Sequence, residues 1–217
     1  MDWIRLALDF VLHIDHYLDV IIRSVGVGTY AVLFGIIFIE TGLVVTPFLP
    51  GDSLLFAAGA FSAKGSLQVL PLWLLLMAAA VIGDSVNYWI GNKVGSRVFE
   101  QESRWVKREY LERTQRFYQK HGGKTILLAR FVPIVRTFAP FVAGIGKMRY
   151  GYFLTYNIVG GTLWVSLFLW GGFFFGGLPF VEKNFSLVII AIVLISVLPA
   201  VWETLKARQE KRAEALK

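Results

Sequence analysis

The chain has 217 residues, of which 56% are hydrophobic, 15% aromatic and only 17% charged, with a formal net charge of +7 and no cysteine. The long uncharged runs behind those figures mark an integral membrane protein of one domain, not a soluble one. The missing cysteines exclude disulfides and thiolate metal sites. Most Lys and Arg residues fall in two clusters, 93–124 and 206–217, so the basic excess reads as cytoplasmic loops and not as a nucleic-acid surface.

Along residues 1–25, Asp2, Arg5, Asp9, His13, His16, Asp19 and Arg23 recur every three or four positions, which predicts an amphipathic helix at the membrane interface. The charges throughout this stretch are unlike a cleavable signal. His13 and His16 with Asp9 and Asp15 lack any metal-ligand spacing, and a solvated stripe explains them better. Residues 30–46 predict a span running outward from a cytoplasmic N-terminus, interrupted only by Glu40. Residues 48–65 begin Phe-Leu-Pro-Gly-Asp and hold glycine at 51, 59 and 65. They are too short and broken to cross, so a re-entrant hairpin carrying Asp52 is expected, with a kinked full span as the alternative. Residues 70–90 then run inward as a span. Near its cytoplasmic end stand Asp84 and Asn87, read either as supports of a functional site or as a helix-end polar pair at the interface.

Between 103 and 122 an apolar face of Val106, Tyr110, Leu111, Thr114, Phe117 and Tyr118 opposes Arg108, Glu112, Arg113 and Arg116. This is a basic amphipathic cytoplasmic helix, capped by Ser103 and stopped at Gly122, suited to anionic headgroups. His121 helps to end it, with a proton relay as the alternative. Residues 125–146 hold Pro133, Pro140, Arg130 and Arg136 and predict a second re-entrant hairpin, entering from the cytoplasm. Residues 152–175 form an outward span, whose glycine pairs 160–161 and 171–172, like 176–177 just beyond it, suit close helix packing and whose Trp164 and Trp170 are packing residues. A last span at 184–203 leads to the basic tail 204–217, so both termini are expected in the cytoplasm.

The two hairpins resemble each other. Phe48, Pro50, Asp52 and Ala58-Gly59 correspond to Phe131, Pro133, Arg136 and Ala143-Gly144, with opposite expected orientation. The fold class is therefore an all-α integral membrane protein built as an inverted repeat of two re-entrant helical hairpins plus transmembrane helices. The first repeat covers 28–90, the linker 91–123 and the second repeat 124–176.

Four charges lie inside apolar sequence: Glu40, Asp52, Arg130 and Arg136. At roughly 2.5 to 3.5 kcal/mol each on insertion scales, four unpaired charges would cost on the order of 10 kcal/mol, so they must be paired, solvated or bound. Arginine offers a planar fork of donors that matches phosphate oxygens. A carboxylate between burial and an arginine can change protonation as its surroundings alternate. No HExxH, GxSxG or P-loop is present, so covalent catalysis, metals and cofactors are not expected, and protons are the expected coupling ion.

The stretches Glu40-Thr-Gly-Leu, Phe48-Leu-Pro-Gly-Asp-Ser-Leu-Leu, Gly83-Asp-Ser-Val-Asn-Tyr-Trp-Ile-Gly and Phe131-Val-Pro-Ile-Val-Arg-Thr-Phe-Ala-Pro-Phe-Val-Ala-Gly resemble the DedA family, also called SNARE-associated or VTT-domain proteins. The resemblance implies the bacterial inner membrane, envelope maintenance that depends on the proton motive force, and movement of polyprenyl phosphate carriers between leaflets. The family's functional acidic and arginine positions fall on Glu40, Asp52, Arg130 and Arg136. The resulting expectation is a transporter of undecaprenyl phosphate, with Arg130 and Arg136 on the phosphate and Glu40 and Asp52 coupling protons. Other readings are a general phospholipid scramblase, a proton- or cation-coupled transporter of small solutes, and a membrane scaffold whose charges only lock the hairpins together. Membrane lipids are the expected partners, with homo-oligomers open.

Overall fold

The computed structural model describes residues 13–43, 51–100, 122–130, 133–196 and 198. Residues 103–121 of the expected helix, with Ser103 and His121, the tail 204–217, and the repeat positions Phe48, Pro50 and Phe131 lie outside these residues; Gly122, expected to stop that helix, has a positive φ of 64°. The described residues are helical, and three stretches are long and apolar enough to cross a membrane: Ile14–Gly42, Val69–Val94 and Tyr150–Phe175.

The first of these stretches is not one rod. Helix α1 (Ile14–Val25) buries Ile14 and Leu18, one turn apart, and stops at Gly26, whose φ of 56° lies in the left-handed region that glycine tolerates best. A short 3-10 turn, Gly26–Gly28, leads into α2 (Thr29–Gly42). There Leu33, Ile37, Glu40 and Thr41 are buried at helical spacing, so the charge lies on the same inward stripe as the apolar residues. Helix α3 (Gly51–Ala63) is buried at every position from Gly51 to Ala60. A helix enclosed on all sides has no solvent face to mark with polar residues, which is why its sequence shows no amphipathic pattern. At about 1.5 Å per residue, α2 and α3 are each roughly 20 Å long, short of the ~30 Å hydrocarbon core. By contrast α4 (Val69–Glu100), with 32 residues, exceeds it.

The second half repeats the plan. Helix α5 (Lys124–Ala129) is followed by α6 (Pro133–Ile145) and the long α7 (Tyr150–Phe175). A short α8 (Pro179–Lys183) and the apolar α9 (Phe185–Ser196) complete the described chain.

Side-chain pairings give the directions. Trp73 with Ser166, Met77 with Thr162, and Val81 with Asn157 show that α4 and α7 run antiparallel. Each short helix lies along the long helix of the other half: α3 on α7, where Gly59 meets the Leu169 carbonyl and Gly172 the Phe56 carbonyl, and α6 on α4, where Gly144 meets the Tyr88 carbonyl and Gly91 the Phe141 carbonyl. At these four positions a Cβ would collide with backbone, so glycine is what allows the axes to approach. Phe56 meets Gly172 and Ala60 meets Gly176, while Asn87 meets Thr137 and Gly91 meets Phe141, so α3 is parallel to α7 and α6 to α4, and the two short helices run in opposite directions.

Gln68 donates its N–H to Tyr30 Oη at 2.7 Å, Gly83 lies against Phe38 and Thr41, and Asn87 donates to the Thr41 carbonyl, so α2 is parallel to α4. Residues 30–42 therefore run in the same direction as 70–90 and not opposed to it as expected, and residues 51–63, expected within a re-entrant hairpin of their own at 48–65, form the single helix α3. Instead α2 and α3 are the two arms of one hairpin, as α5 and α6 are of the other, and α2 starts on the face that holds residues 64–68. The chain thus reverses between α2 and α3, and Gly83 lets α2 lie lengthwise on α4, since a Cβ there would collide with Thr41 Oγ1, whereas Gly42 faces Gly83 at ordinary van der Waals distance.

Candidate functional site

The charged residues converge where the hairpin arms end. Arg136, one turn into α6, donates from Nη1 to Asp52 Oδ1 at 2.7 Å and from Nη2 to Glu40 Oε1. Glu40 is wholly buried at the end of α2, and Asp52 is at the start of α3. One guanidinium therefore ties both arms of the first hairpin to the second. Gly51 donates its backbone N–H to Glu40 at 3.3 Å; a Cβ at Gly51 would occupy the space of the Glu40 carboxylate, so the Pro-Gly-Asp sequence leaves room for the acid.

Arg130 behaves differently. Its partners are neither Glu40 nor Asp52 but Asp84 on α4 and Asn157 on α7, the latter at 2.6 Å. Asp84 is 2% exposed and Asn87 0%, so the interfacial helix-end reading of this pair does not hold. Asp84 is a fifth buried charge, bound directly to an arginine. Gly160 and Gly161, expected to serve packing alone, border the guanidinium: an added Cβ would stand 3.4 Å from Arg130 Nε or Nη1.

Three further residues complete the cluster. The indole N–H of Trp164 donates to Asp52 at 2.8 Å and Ser196 on α9 donates to the other oxygen at 2.7 Å. The Trp164 ring lies 4.7 Å from the Arg136 guanidinium carbon and 5.7 Å from that of Arg130, within cation–π range of both. Trp164 was expected only to pack; it contacts three of the charged groups. Trp170 packs on Phe173 and Phe174, as expected. Asn157 fixes its orientation by donating to the Val81 carbonyl at 3.0 Å. A buried Asn, Ser or Trp within apolar helix sequence is the one signal that could have pointed to these residues.

Burying five charges is tolerable because each has an opposite partner, and Glu40, Asp52 and Arg130 have further hydrogen bonds, to Gly51, to Trp164 and Ser196, and to Asn157. Three carboxylates face two guanidiniums, so the cluster carries one net formal negative charge with all groups ionised. Its hydrogen bonding is incomplete: Arg130 Nη1 and Arg136 Nε among the donors, and Glu40 Oε2 and Asp84 Oδ1 among the acceptors, are buried without a partner. Each arginine thus retains one unused donor.

Residues 49–174 match the family model of the VTT domain, a stretch that holds every residue of the cluster except Glu40 and Ser196. The chain belongs to the VTT-domain, or DedA, family. It is 52% identical over 218 aligned residues to protein DedA of Escherichia coli strain K12, covering 99% of this chain and 98% of that one. It is 45% identical over 193 residues to an uncharacterised membrane protein of Mycobacterium tuberculosis strain H37Rv, with 86% and 85% covered. Inner membrane protein YqjA of E. coli K12 is 34% identical over 172 residues, covering 77% of each chain. No solved structure matches the chain. Membership of this family and the apolar helices make it a membrane protein.

Proposed function

We propose that this VTT-domain protein moves undecaprenyl phosphate between the leaflets of the bacterial inner membrane, coupled to the proton motive force. The observation that carries this reading is the pair of buried arginines, one beside each reversal of the chain, each with a donor left over. In a bilayer the two hairpins are re-entrant, their ends meeting in the interior where irregular backbone is enclosed by protein. The lipid's tail stays in the hydrocarbon, so only the phosphate needs shielding.

The charge count supplies the coupling. With one net negative charge already present, a phosphate gains a guanidinium only when a carboxylate gives it up. Glu40 and Asp52, displaced from Arg136, take up protons and cease to compete; when the phosphate leaves, they release those protons and close on the arginine again. Asp84 and Asn157 hold Arg130 in position for the same anion. The chemistry is binding and release, without a cofactor or a covalent step.

Leaflet exchange of undecaprenyl phosphate in proteoliposomes, with and without an imposed pH gradient, tests this. Arg130→Ala and Arg136→Ala should each reduce exchange to the protein-free rate, and exchange at the parent rate in both would show the phosphate assignment to be wrong. Equal movement of ordinary phospholipids identifies a scramblase, and currents without lipid exchange a solute transporter. A scaffold regains its function when Glu40 and Arg136 are exchanged, whereas a phosphate site does not.

A further inference from the structure

The side chain of Asn87 is entirely buried on α4, one turn after Asp84. Its Nδ2 donates to the Thr41 carbonyl at 3.0 Å and to the Thr137 carbonyl at 2.8 Å. With carbonyl oxygens as both neighbours, the amide has one consistent orientation, nitrogen toward them. Its Oδ1 makes no hydrogen bond, so two N–H bonds alone hold it.

These two carbonyls come from the two hairpins. Thr41 is in the last turn of α2, where carbonyls have no partner further along the helix. Thr137 is in α6, the residue after Arg136, whose carbonyl is the one that loses its helical N–H partner at Pro140. Asn87 thus bonds the backbone of each hairpin to one rigid helix. The hairpins are tied to each other elsewhere by Arg136 through Glu40 and Asp52, a link an anion can compete for. The Asn87 link is uncharged and offers an anion only donors that are already used.

We propose that Asn87 is a latch: it holds the ends of the two hairpins together in the resting protein, and both of its bonds break when the hairpins separate. What the separation serves rests on the transport reading; the latch itself does not. Asn87 is a positioning residue, acting on the arginines through the backbone of α2 and α6.

The test places spin labels at the exposed positions Ile39 and Phe138, one on each hairpin, and a single thiol, Ser53→Cys, at a buried site in the first turn of α3. Asn87→Asp keeps the shape of the side chain and removes both donors; Asn87→Ala is the second variant. In detergent, either variant should broaden and lengthen the Ile39–Phe138 distance distribution and raise maleimide labelling at position 53 roughly tenfold, as the loss of two buried hydrogen bonds predicts for a local opening. A distribution and labelling rate equal to the parent's in a folded variant would overturn the latch. Undecaprenyl phosphate should shift the parent toward the variant's distribution and leave Asn87→Asp unchanged. Should the lipid shift neither while the variants still open, the latch stands and the lipid assignment fails.

Discussion

Arg136 reaches two carboxylates carried by the two arms of the first hairpin, whereas Arg130 reaches one carboxylate and one amide carried by the two long helices. Both arginines are buried, both belong to the second hairpin and both touch the Trp164 ring. The difference lies in what each would have to release. Separating the hairpins breaks the Arg136 pairs directly, because they join hairpin to hairpin. Arg130 is bound to α4 and α7, whose antiparallel contact is independent of the first hairpin. The same residue type is thus a closure contact in one place and an anchor in the other.

The comparison breaks most visibly on removing each cation in turn. Arg136→Gln leaves two buried carboxylates without their cation, and should lie at the upper end of the ~3 to 5 kcal/mol typical of a broken buried ion pair. Arg130→Gln leaves one, and should lie at the lower end. Unfolding of the purified variants in an SDS titration checks the order, and equal losses would remove the distinction between closure and anchor.

A smaller effect tests the symmetry of the frame around both centres. Gly59→Ala and Gly144→Ala each place a methyl group against backbone of the opposing long helix, so each should cost about 1 to 3 kcal/mol by overpacking. The two losses should agree within error in the same titration if the halves pack equivalently; a loss confined to one would mean that the two interfaces are unequal.

The smallest expected effect concerns the residue shared by both centres. Trp164→Phe keeps an aromatic face for the arginines and removes the N–H donated to Asp52, which still has Arg136 and Ser196. A loss of about 1 kcal/mol is expected, and the proposed proton coupling adds a shift in the pH dependence of undecaprenyl phosphate exchange. An unchanged pH profile would mean that the Trp164 N–H does not set the protonation of Asp52.

Much of this architecture was legible in the chain because the membrane makes composition informative. Long uncharged runs can hardly be anything but buried or lipid-facing, and a charge among them is conspicuous at once. That is how Glu40, Asp52, Arg130 and Arg136 could be singled out, and why prolines at 133 and 140 marked the second hairpin. The first hairpin was harder. Its arm α2 is as apolar as a span, and length alone did not show that it turns back; the parallel contact with α4 through Gly42 and Gly83 does.

By itself, then, the sequence determined a helical membrane protein with two similar broken segments, their charges and the family to which they belong, since hydrophobicity, proline and charge act locally. Tertiary structure alone decided which acid holds which arginine. Glu40 meets Arg136 across 96 residues and Ser196 meets Asp52 across 144, distances over which local preferences carry no pairing information. The same long-range packing brought Asp84, Asn87, Asn157 and Trp164 into the cluster, each of them an ordinary helix residue until another helix lies against it.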